Sequence, residues 1–342
     1  MFKRIISLML VLFTVLGLCA CGGETAAPET TEAPTTEPTY VDWTKKDTLK
    51  VLVLGHSLMV DAGHMLALIA ATEGMENFTL GTLYYSGCPL YRHVEFLTNN
   101  TPIYTLYLSS TDDPKQPPEQ MKEVTMEQAL RHLDWDIVVM QGGTFELAAE
   151  DTFKIGHIQT IQNYVKENAY KKDVIFAWHM PWAFATEPEL QAKYTAGGNP
   201  YISGYAPYGN DRLRLYNAFA ENVKNYIMPD ETFRFLVPSG TAIENAMSSY
   251  LTEFDLIRDY AHASDLGRVI ASYTWYCKLA GVEELTELKF TTIPRNFFKS
   301  KTDPVDYPLT EMEQKIIIES VNNALKNPLQ QTQSQYTTAP EA

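Results

Sequence analysis

TLKVLVLG at residues 48–55 is a largely apolar run that ends in a glycine. Such a run, bounded by a turn, is typical of a strand buried on both faces of a parallel sheet. Residues 61–72 follow with apolar side chains at helical spacing, so a strand and a helix come in direct succession. This opening predicts an α/β fold.

The same alternation continues along the chain. We predict further strands at 78–85, 136–140, 174–178 and 233–237, and helices at 126–133, 153–168, 213–226, 265–279 and 310–325. This order predicts a three-layer α/β/α fold, flavodoxin-like, around a mainly parallel five-stranded sheet. Ligands of such sheets bind at the carboxyl ends of the strands. Two polar connections, 99–119 and 187–211, are too long for plain turns, and the second is a candidate wall of a cleft.

The N-terminus predicts export and attachment to a membrane. Lys3 and Arg4 precede an apolar run that is short for a membrane span, which needs roughly 20 apolar residues, and is typical of a secretory signal. LCAC at residues 18–21 resembles the lipobox of bacterial lipoproteins. That resemblance implies a signal peptide at 1–20 and a lipidated Cys21 that anchors the chain to the outer side of the bacterial cell membrane. The alternative is an ordinary cleaved signal.

Composition divides the rest of the chain into three parts. Residues 21–44 are rich in Thr, Pro and Glu and cannot bury a core, so we predict a disordered linker behind the lipidated cysteine. Residues 45–328 show no internal repeat and no second shift in composition, which favours one domain. Residues 329–342 are rich in Gln, Thr and Ser, and we predict a disordered tail.

The charge and the cysteines exclude several classes of function. The formal charge of −15 becomes about −17 when Lys3 and Arg4 leave with the signal, which argues against nucleic-acid partners. Cys88 and Cys277 remain beyond the signal, and a disulfide between them is permitted outside the cell, although Cys277 lies in an apolar helical run typical of a core. No His/Cys spacing predicts a metal site, and we expect no cofactor and a monomer.

Residues suited to catalysis follow the predicted strands. Ser57 comes directly after the first strand, where it can act as a nucleophile or merely cap a helix. Gly87 and Gln141 follow the second and third strands and can present N–H donors, or serve as a turn and a strand cap. Asp259 lies three residues before His262, a spacing that lets the carboxylate orient the imidazole. The alternative for this pair is a helix-capping Asp and an incidental His.

These four positions, in this order, resemble the SGNH (GDSL-like) hydrolase superfamily over residues 51 to about 280. The resemblance implies that Ser57 is the nucleophile, His262 the general base and Asp259 the residue that orients it. It also implies an oxyanion hole formed by the N–H groups of Ser57 and Gly87 and by the side chain of Gln141, which stands where the family usually has Asn.

The chain is also similar to a lipoprotein-rich branch of that superfamily with GNSF, GGCSLERH, LQQ and WHQTWAYA blocks. The matching segments are GHSL at 55–58, SGCPLYRH at 86–93, MQG at 140–142, WHMPWA at 178–183 and PSGTAI at 238–243. Two departures concern His56, which replaces Asn or Asp beside the serine, and Tyr260, which stands where a glycine usually follows the aspartate. Both leave the three catalytic side chains in place.

Four further residues near strand ends are expected to contact substrate: Arg92, His93, Trp178 and His179. Arg92 is a candidate for gripping a hydroxyl or carboxylate, and Trp178, together with Trp182, for stacking on a sugar ring. Buried tryptophans and hydrogen-bonded core histidines are the alternative.

A Ser-His-Asp site with an oxyanion hole transfers acyl groups, with water as the usual acceptor. We therefore expect a membrane-anchored serine esterase that removes small acyl groups, acetyl above all, from a small molecule or a glycan. A non-catalytic glycan- or ligand-binding lipoprotein would not need Ser57, Asp259 and His262 together. A glycan O-acyltransferase would use the same residues, and the sequence does not distinguish it from a hydrolase.

Overall fold

A computed structural model describes residues 42–198, 208, 211–294 and 306–341. The predicted signal peptide, Cys21 and nearly all of the predicted linker lie outside these residues, as does much of the connection at 187–211. Within the described residues, no helix combines the length and the apolar composition that a membrane crossing requires.

A seven-stranded mixed sheet forms the centre of the fold, in the order β4-β3-β2-β1-β5-β6-β7. The strands are β1 (Leu49–Gly55), β2 (Phe78–Tyr84), β3 (Tyr104–Ser110), β4 (Glu119–Val124), β5 (Ile137–Met140), β6 (Ile175–His179) and β7 (Phe233–Val237). Five of them, β2-β1-β5-β6-β7, run parallel and are the five strands predicted from the sequence. β1 is central, and five of its seven residues are buried in succession to its end.

The prediction of five strands is corrected by β3 and β4, which extend the sheet antiparallel beyond β2. The sequence analysis places β3 within the polar connection at 99–119 and assigns no element to residues 120–125, because edge strands carry a weaker apolar signal than central ones. β4 is mostly exposed and contains Glu119, Lys122 and Glu123, side chains that discourage pairing with another chain.

Helices cover both faces of the sheet, which confirms the predicted three layers. One layer contains α1 (Ser57–Gly63), α2 (Leu66–Glu73), α10 (Ser239–Met247), α11 (Glu253–Leu256), α12 (Asp265–Ala280) and α13 (Glu311–Lys326), which pack on one another. The other contains α3 (Leu90–Thr98), α4 (Met126–Leu130), α5 (Thr144–Ala148), α6 (Glu150–Lys154), α7 (His157–Asn168) and α9 (Arg212–Asn222). α8 (Pro188–Ala196) and the short pair β8 (Thr292–Ile293) and β9 (Tyr307–Pro308) complete the described elements.

The segment predicted as a disordered tail packs against α10 instead. The Thr332 N–H donates to Asn245 Oδ1 at 2.7 Å, and the Ser334 N–H donates to Ser248 Oγ at 2.8 Å. Ser334 is buried, and Tyr336 accepts a backbone hydrogen bond from Tyr250. The prediction was wrong here because polar composition does not reveal acceptors that other parts of the fold supply.

A buried carboxylate on α10 makes stability depend on pH. Burial raises the pKa of Glu244 to about 7, although Arg212, which donates to it, opposes the rise. Because this pKa is higher in the folded protein than in the unfolded chain, the fold keeps its full stability at pH values below the ordinary pKa. Stability is then lost as the pH rises through the folded pKa, where the buried carboxyl must ionise. We expect Glu244→Gln to become more stable relative to wild type between pH 5 and 8, by on the order of 2 kcal/mol in urea unfolding.

The matched control for this pH effect is Glu231→Gln. Glu231 is an exposed residue, so its replacement should leave the difference from wild type constant over the same pH range. A constant difference for Glu244→Gln as well would show that Glu244 keeps its ordinary ionisation in the folded protein.

Candidate active site

The carboxyl edge of the sheet brings the predicted site residues together. Ser57 follows β1, Gly87 follows β2 and Gln141 follows β5, and these three strands are neighbours. From β1 the chain first adds strands on one side, beginning with β2, and later on the other side, beginning with β5. Where the direction of strand addition changes in this way, a crevice opens at the carboxyl ends of the parallel strands. Ser57 is the first residue of α1, directly after the N-cap residue His56.

Ser57, His262 and Asp259 form a continuous hydrogen-bonded chain. Ser57 Oγ lies 2.9 Å from His262 Nε2, and His262 Nδ1 lies 2.9 Å and 3.0 Å from the two carboxylate oxygens of Asp259. Since a carboxylate only accepts, Nδ1 carries the proton and donates it to Asp259, which leaves Nε2 free to accept from the serine hydroxyl. This is the tautomer that a general base requires.

The carboxylate of Asp259 is kept ionised. Burial pushes its pKa upward, but the hydrogen bonds and charge of His262 push it further down, and the net pKa lies below the ordinary value. The His262 backbone N–H also donates to Asp259 at 3.0 Å, so the two residues of this short loop fix each other.

Tyr260 gives the loop its shape. Its φ of +89° lies in the left-handed region that favours glycine. The superfamily that the sequence resembles usually has glycine at this position. The Tyr260 ring is buried against Phe184 and Tyr194, with centroids 5.2 Å and 5.8 Å away, and its carbonyl accepts from the Ala185 N–H. These contacts offset the backbone strain, so this departure from the family pattern preserves the turn that carries His262.

Asp61, which the sequence analysis missed, joins the serine helix to the histidine loop. It lies one turn after Ser57 on α1 and is only 2% exposed. Its carboxylate accepts from Arg258 at 3.0 Å, from Arg268 at 2.8 Å and from the Ala263 N–H at 3.1 Å. Burial opposes ionisation, but the two arginines hold the pKa of Asp61 below its ordinary value. In the sequence, the one sign that Asp61 belongs to the site is its position four residues after Ser57, about one helical turn along the same helix.

The N–H groups of Ser57 and of Gly87, which lies in the turn after β2, are candidate oxyanion donors. Among the described residues, no acceptor pairs with the N–H of Ser57 or of Gly87. Gly87 is exposed with φ +58°, and no atom lies within 4 Å of the place where a Cβ would stand. Free N–H groups at the carboxyl edge are the donors that an oxyanion hole uses.

Gln141, the third predicted donor of the hole, is a buried residue. Its side chain is fully buried and lies 3.2 Å from His56 Nε2 and 3.5 Å from His179 Nδ1. Burial lowers the pKa of His56 to about 4, so the ring is neutral, and its Nε2 lies 3.3 Å from the Gly142 carbonyl. Gln141 therefore packs against two histidines and is not among the residues that line the cleft containing Ser57.

Of the residues expected to contact substrate, His93, Trp178 and His179 are buried instead. His93 bonds to the Tyr104 hydroxyl at 2.9 Å, and Trp178 packs between Phe153 and Phe233. Burial lowers the pKa of His93 and of His179 to about 3.

Trp182 and Arg92 do not line the cleft either. Trp182 is buried, and its indole N–H donates to the Ala261 carbonyl at 2.8 Å, which supports the histidine loop. Arg92 is partly exposed, forms an ion pair with Glu95 at 2.8 Å, and lies outside the cleft that contains Ser57. Proximity to a strand end in sequence did not tell which way these side chains point.

An open cleft of about 490 Å³ begins at Ser57 and runs between α1 and the hairpin of β3 and β4. Its walls are aromatic, proline-rich and polar: Ser57, Val60, Asp61, Gly63, His64, Ala67, Leu80, Thr82, Tyr84, Tyr107, Ser109, Pro114, Gln116, Pro117, Pro118, Gln120, Arg258 and Arg268. Residues of the predicted connection at 99–119 thus form one wall of the cleft. The connection at 187–211, which was expected to form a wall, is described only at residues 187–198, 208 and 211. Tyr194, which belongs to the connection at 187–211, packs on His262 with ring centroids 5.9 Å apart.

Cys88 and Cys277 are free and buried. No group of three or more His, Cys, Asp or Glu side chains in the described part of the chain could hold a metal ion.

Comparison with known families matches residues 50–292 to the domain of unknown function DUF4886. The chain belongs to the DUF4886 family. All of the residues discussed for the site lie within the matched segment. A crystal structure of a DUF4886 family protein from Bacteroides uniformis ATCC 8492 superposes with a TM-score of 0.68 at 25% identity, covering 85% of this chain and 100% of that chain.

Other solved structures resemble this DUF4886 protein more distantly. A lipase/acylhydrolase from Enterococcus faecalis superposes with a TM-score of 0.39 at 14% identity, covering 68% of this chain and 96% of that chain. So loose a superposition assigns no function. A search of curated proteins found no match.

Proposed function

We propose that this DUF4886 protein is a serine esterase that hydrolyses small acyl esters. The observation that carries the proposal is the chain of hydrogen bonds from Ser57 through His262 to Asp259. Stability of the fold does not require a serine hydroxyl hydrogen-bonded to an imidazole whose other nitrogen donates to a carboxylate, and ligand binding does not require it either.

The proposed reaction has two steps, acylation of Ser57 and hydrolysis of the acyl-serine. Ser57 Oγ attacks the ester carbonyl carbon while His262 Nε2 takes its proton, and the carbonyl oxygen becomes an oxyanion beside the N–H groups of Ser57 and Gly87. His262 then gives the proton to the leaving alcohol, and the acyl-serine forms. Water, deprotonated by His262, attacks the acyl-serine, which releases the acid and restores Ser57. Each oxyanion donor typically contributes about 3 kcal/mol to lowering the barrier.

The cleft supports a small, polar ester as the substrate. Tyr84 and Tyr107 line it with ring centroids 5.8 Å apart, and Gln116 and Gln120 add amide groups. Aromatic faces and amides are suited to a sugar, so the proposal includes acetylated carbohydrate as the substrate class. The lipobox-like segment that ends at Cys21 supports attachment to the outer side of a membrane.

The test is labelling with a fluorophosphonate, which reacts with an activated serine. The wild-type protein is expected to be labelled and Ser57→Ala to remain unlabelled. Ser110→Ala is the matched control, because Ser110 ends β3 without lining the cleft, and it should be labelled like wild type. Absence of labelling in folded wild-type protein would favour a binding protein. Hydrolysis of only long-chain esters would contradict acetylated carbohydrate as the substrate.

A further inference from the structure

The floor of the cleft that contains Ser57 is one face of the sheet. Thr82 and Tyr84 are alternate residues of β2, and both line the cleft, so their side chains share a face. Tyr107 of β3 lies opposite Thr82, and Gln120 of β4 lies opposite Tyr107, which places both on that same face. The floor therefore extends across three strands, from β2 to β4 at the edge of the sheet.

The cleft is longer than a single sugar ring. Ser57 and Gly63, the first and last residues of α1, both line it, so it extends about 9 Å along this helix. Across the sheet, Tyr107 is on the second strand from β1, about 10 Å away, and Gln120 is on the third strand. These dimensions fit a short chain of sugar units.

Polar side chains line this cleft without a hydrogen-bond partner in the described part of the chain. They are the hydroxyls of Thr82, Tyr84, Tyr107 and Ser109 and the amides of Gln116 and Gln120. Sugar hydroxyls both donate and accept, so a glycan can pair with these groups. A long acyl chain would cover them without offering a partner, which is unfavourable.

The charged side chains that line the cleft are paired within the protein. Arg258 forms ion pairs with Asp61 and Asp259. Arg268 forms ion pairs with Asp61 and Asp265. Because these carboxylates compensate the two guanidinium groups, the cleft favours a neutral ligand.

We propose, on the basis of the esterase function above, that the floor from β2 to β4 binds the sugar units next to the acetylated one. The substrate is then an acetylated, neutral oligosaccharide or polysaccharide, with its ester at Ser57 and neighbouring units over Tyr107 and Gln120. Tyr107 determines the specificity, because its half-buried ring offers an apolar face to a sugar and its hydroxyl adds a hydrogen bond.

The test measures acetate release from acetylated xylose, xylobiose and xylotriose. In wild type, kcat/KM is expected to rise about 10-fold from the monosaccharide to the trisaccharide, mainly through KM, because the added units contact the floor. Tyr107→Ala should remove most of this rise. Gln120→Ala, a change at an exposed side chain, should reduce it. Tyr170→Ala is the matched control: Tyr170 is 71% exposed, does not line the cleft and should keep the full rise.

4-Nitrophenyl acetate contains no sugar, so it tests the esterase separately. Its hydrolysis together with an equal kcat/KM for the three sugars would overturn the inference and leave the esterase standing. A rise that both Tyr107→Ala and Gln120→Ala retain would also overturn the inference. If wild type hydrolyses neither 4-nitrophenyl acetate nor the sugars, the esterase fails and the inference fails with it.

Inhibition decides the case in which wild type hydrolyses 4-nitrophenyl acetate but none of the three acetylated sugars. The inhibitors are unacetylated xylo-, cello- and chito-oligosaccharides of increasing length. Inhibition that strengthens with chain length and weakens in Tyr107→Ala would support the inference. Absence of inhibition by all three series would overturn it.

Discussion

Replacing Asp259 with asparagine is expected to lower kcat for 4-nitrophenyl acetate by about 10⁴-fold with little change in KM. The asparagine amide can donate to His262 Nδ1, which moves the imidazole proton to Nε2. A protonated Nε2 cannot accept the Ser57 hydroxyl proton at its 2.9 Å separation. The substitution also removes the negative charge that stabilises the imidazolium during the reaction.

A structural role for Asp259 would have a different signature. Asp259→Asn should keep the melting temperature of wild type within a few degrees, because asparagine can still accept the His262 backbone N–H. Asp255→Asn is the matched control, since Asp255 caps α11 through Thr252 and does not contact the triad. A loss of less than about 10-fold in kcat for Asp259→Asn would show that His262 works without its carboxylate.

The second large effect concerns Asp61, whose replacement by asparagine is expected to cost about 3 kcal/mol of unfolding free energy. The change leaves two guanidinium groups against a neutral amide, and breaking a buried ion pair costs more than the pair contributes. The estimate takes the low end of the usual range because Arg258 is 39% exposed and water screens it. Urea unfolding at pH 7 measures the loss.

Activity should fall with stability in Asp61→Asn, because the Ala263 N–H that anchors the histidine loop loses its charged acceptor. The pKa of Asp61 is lowered in the folded state, so its contribution is full above the ordinary pKa and lost as pH falls through the folded value. The control is Asp265→Asn, whose partly exposed pair with Arg268 should contribute less than about 1 kcal/mol. Equal losses for both variants would contradict a special role for Asp61.

The alternation of apolar runs and helical spacing was enough to predict the five parallel strands and the layers around them. Central strands buried on both faces consist of continuous apolar residues, and β1 shows this pattern. The edge strands β3 and β4 escaped prediction because half-exposed strands mix polar and apolar residues. The C-terminal segment escaped it because its backbone hydrogen bonds go to α10, which is distant in sequence.

The sequence by itself determined which residues reach the carboxyl edge of the sheet, because strand ends are local features and parallel strands share one edge. It did not determine where their side chains point. Trp178 and His179 are neighbours on β6, where alternate side chains face opposite sides of the sheet, and both are buried. Only the tertiary structure buried Gln141 against His56 and placed Asp61 between two arginines, because both depend on contacts between segments far apart in the chain.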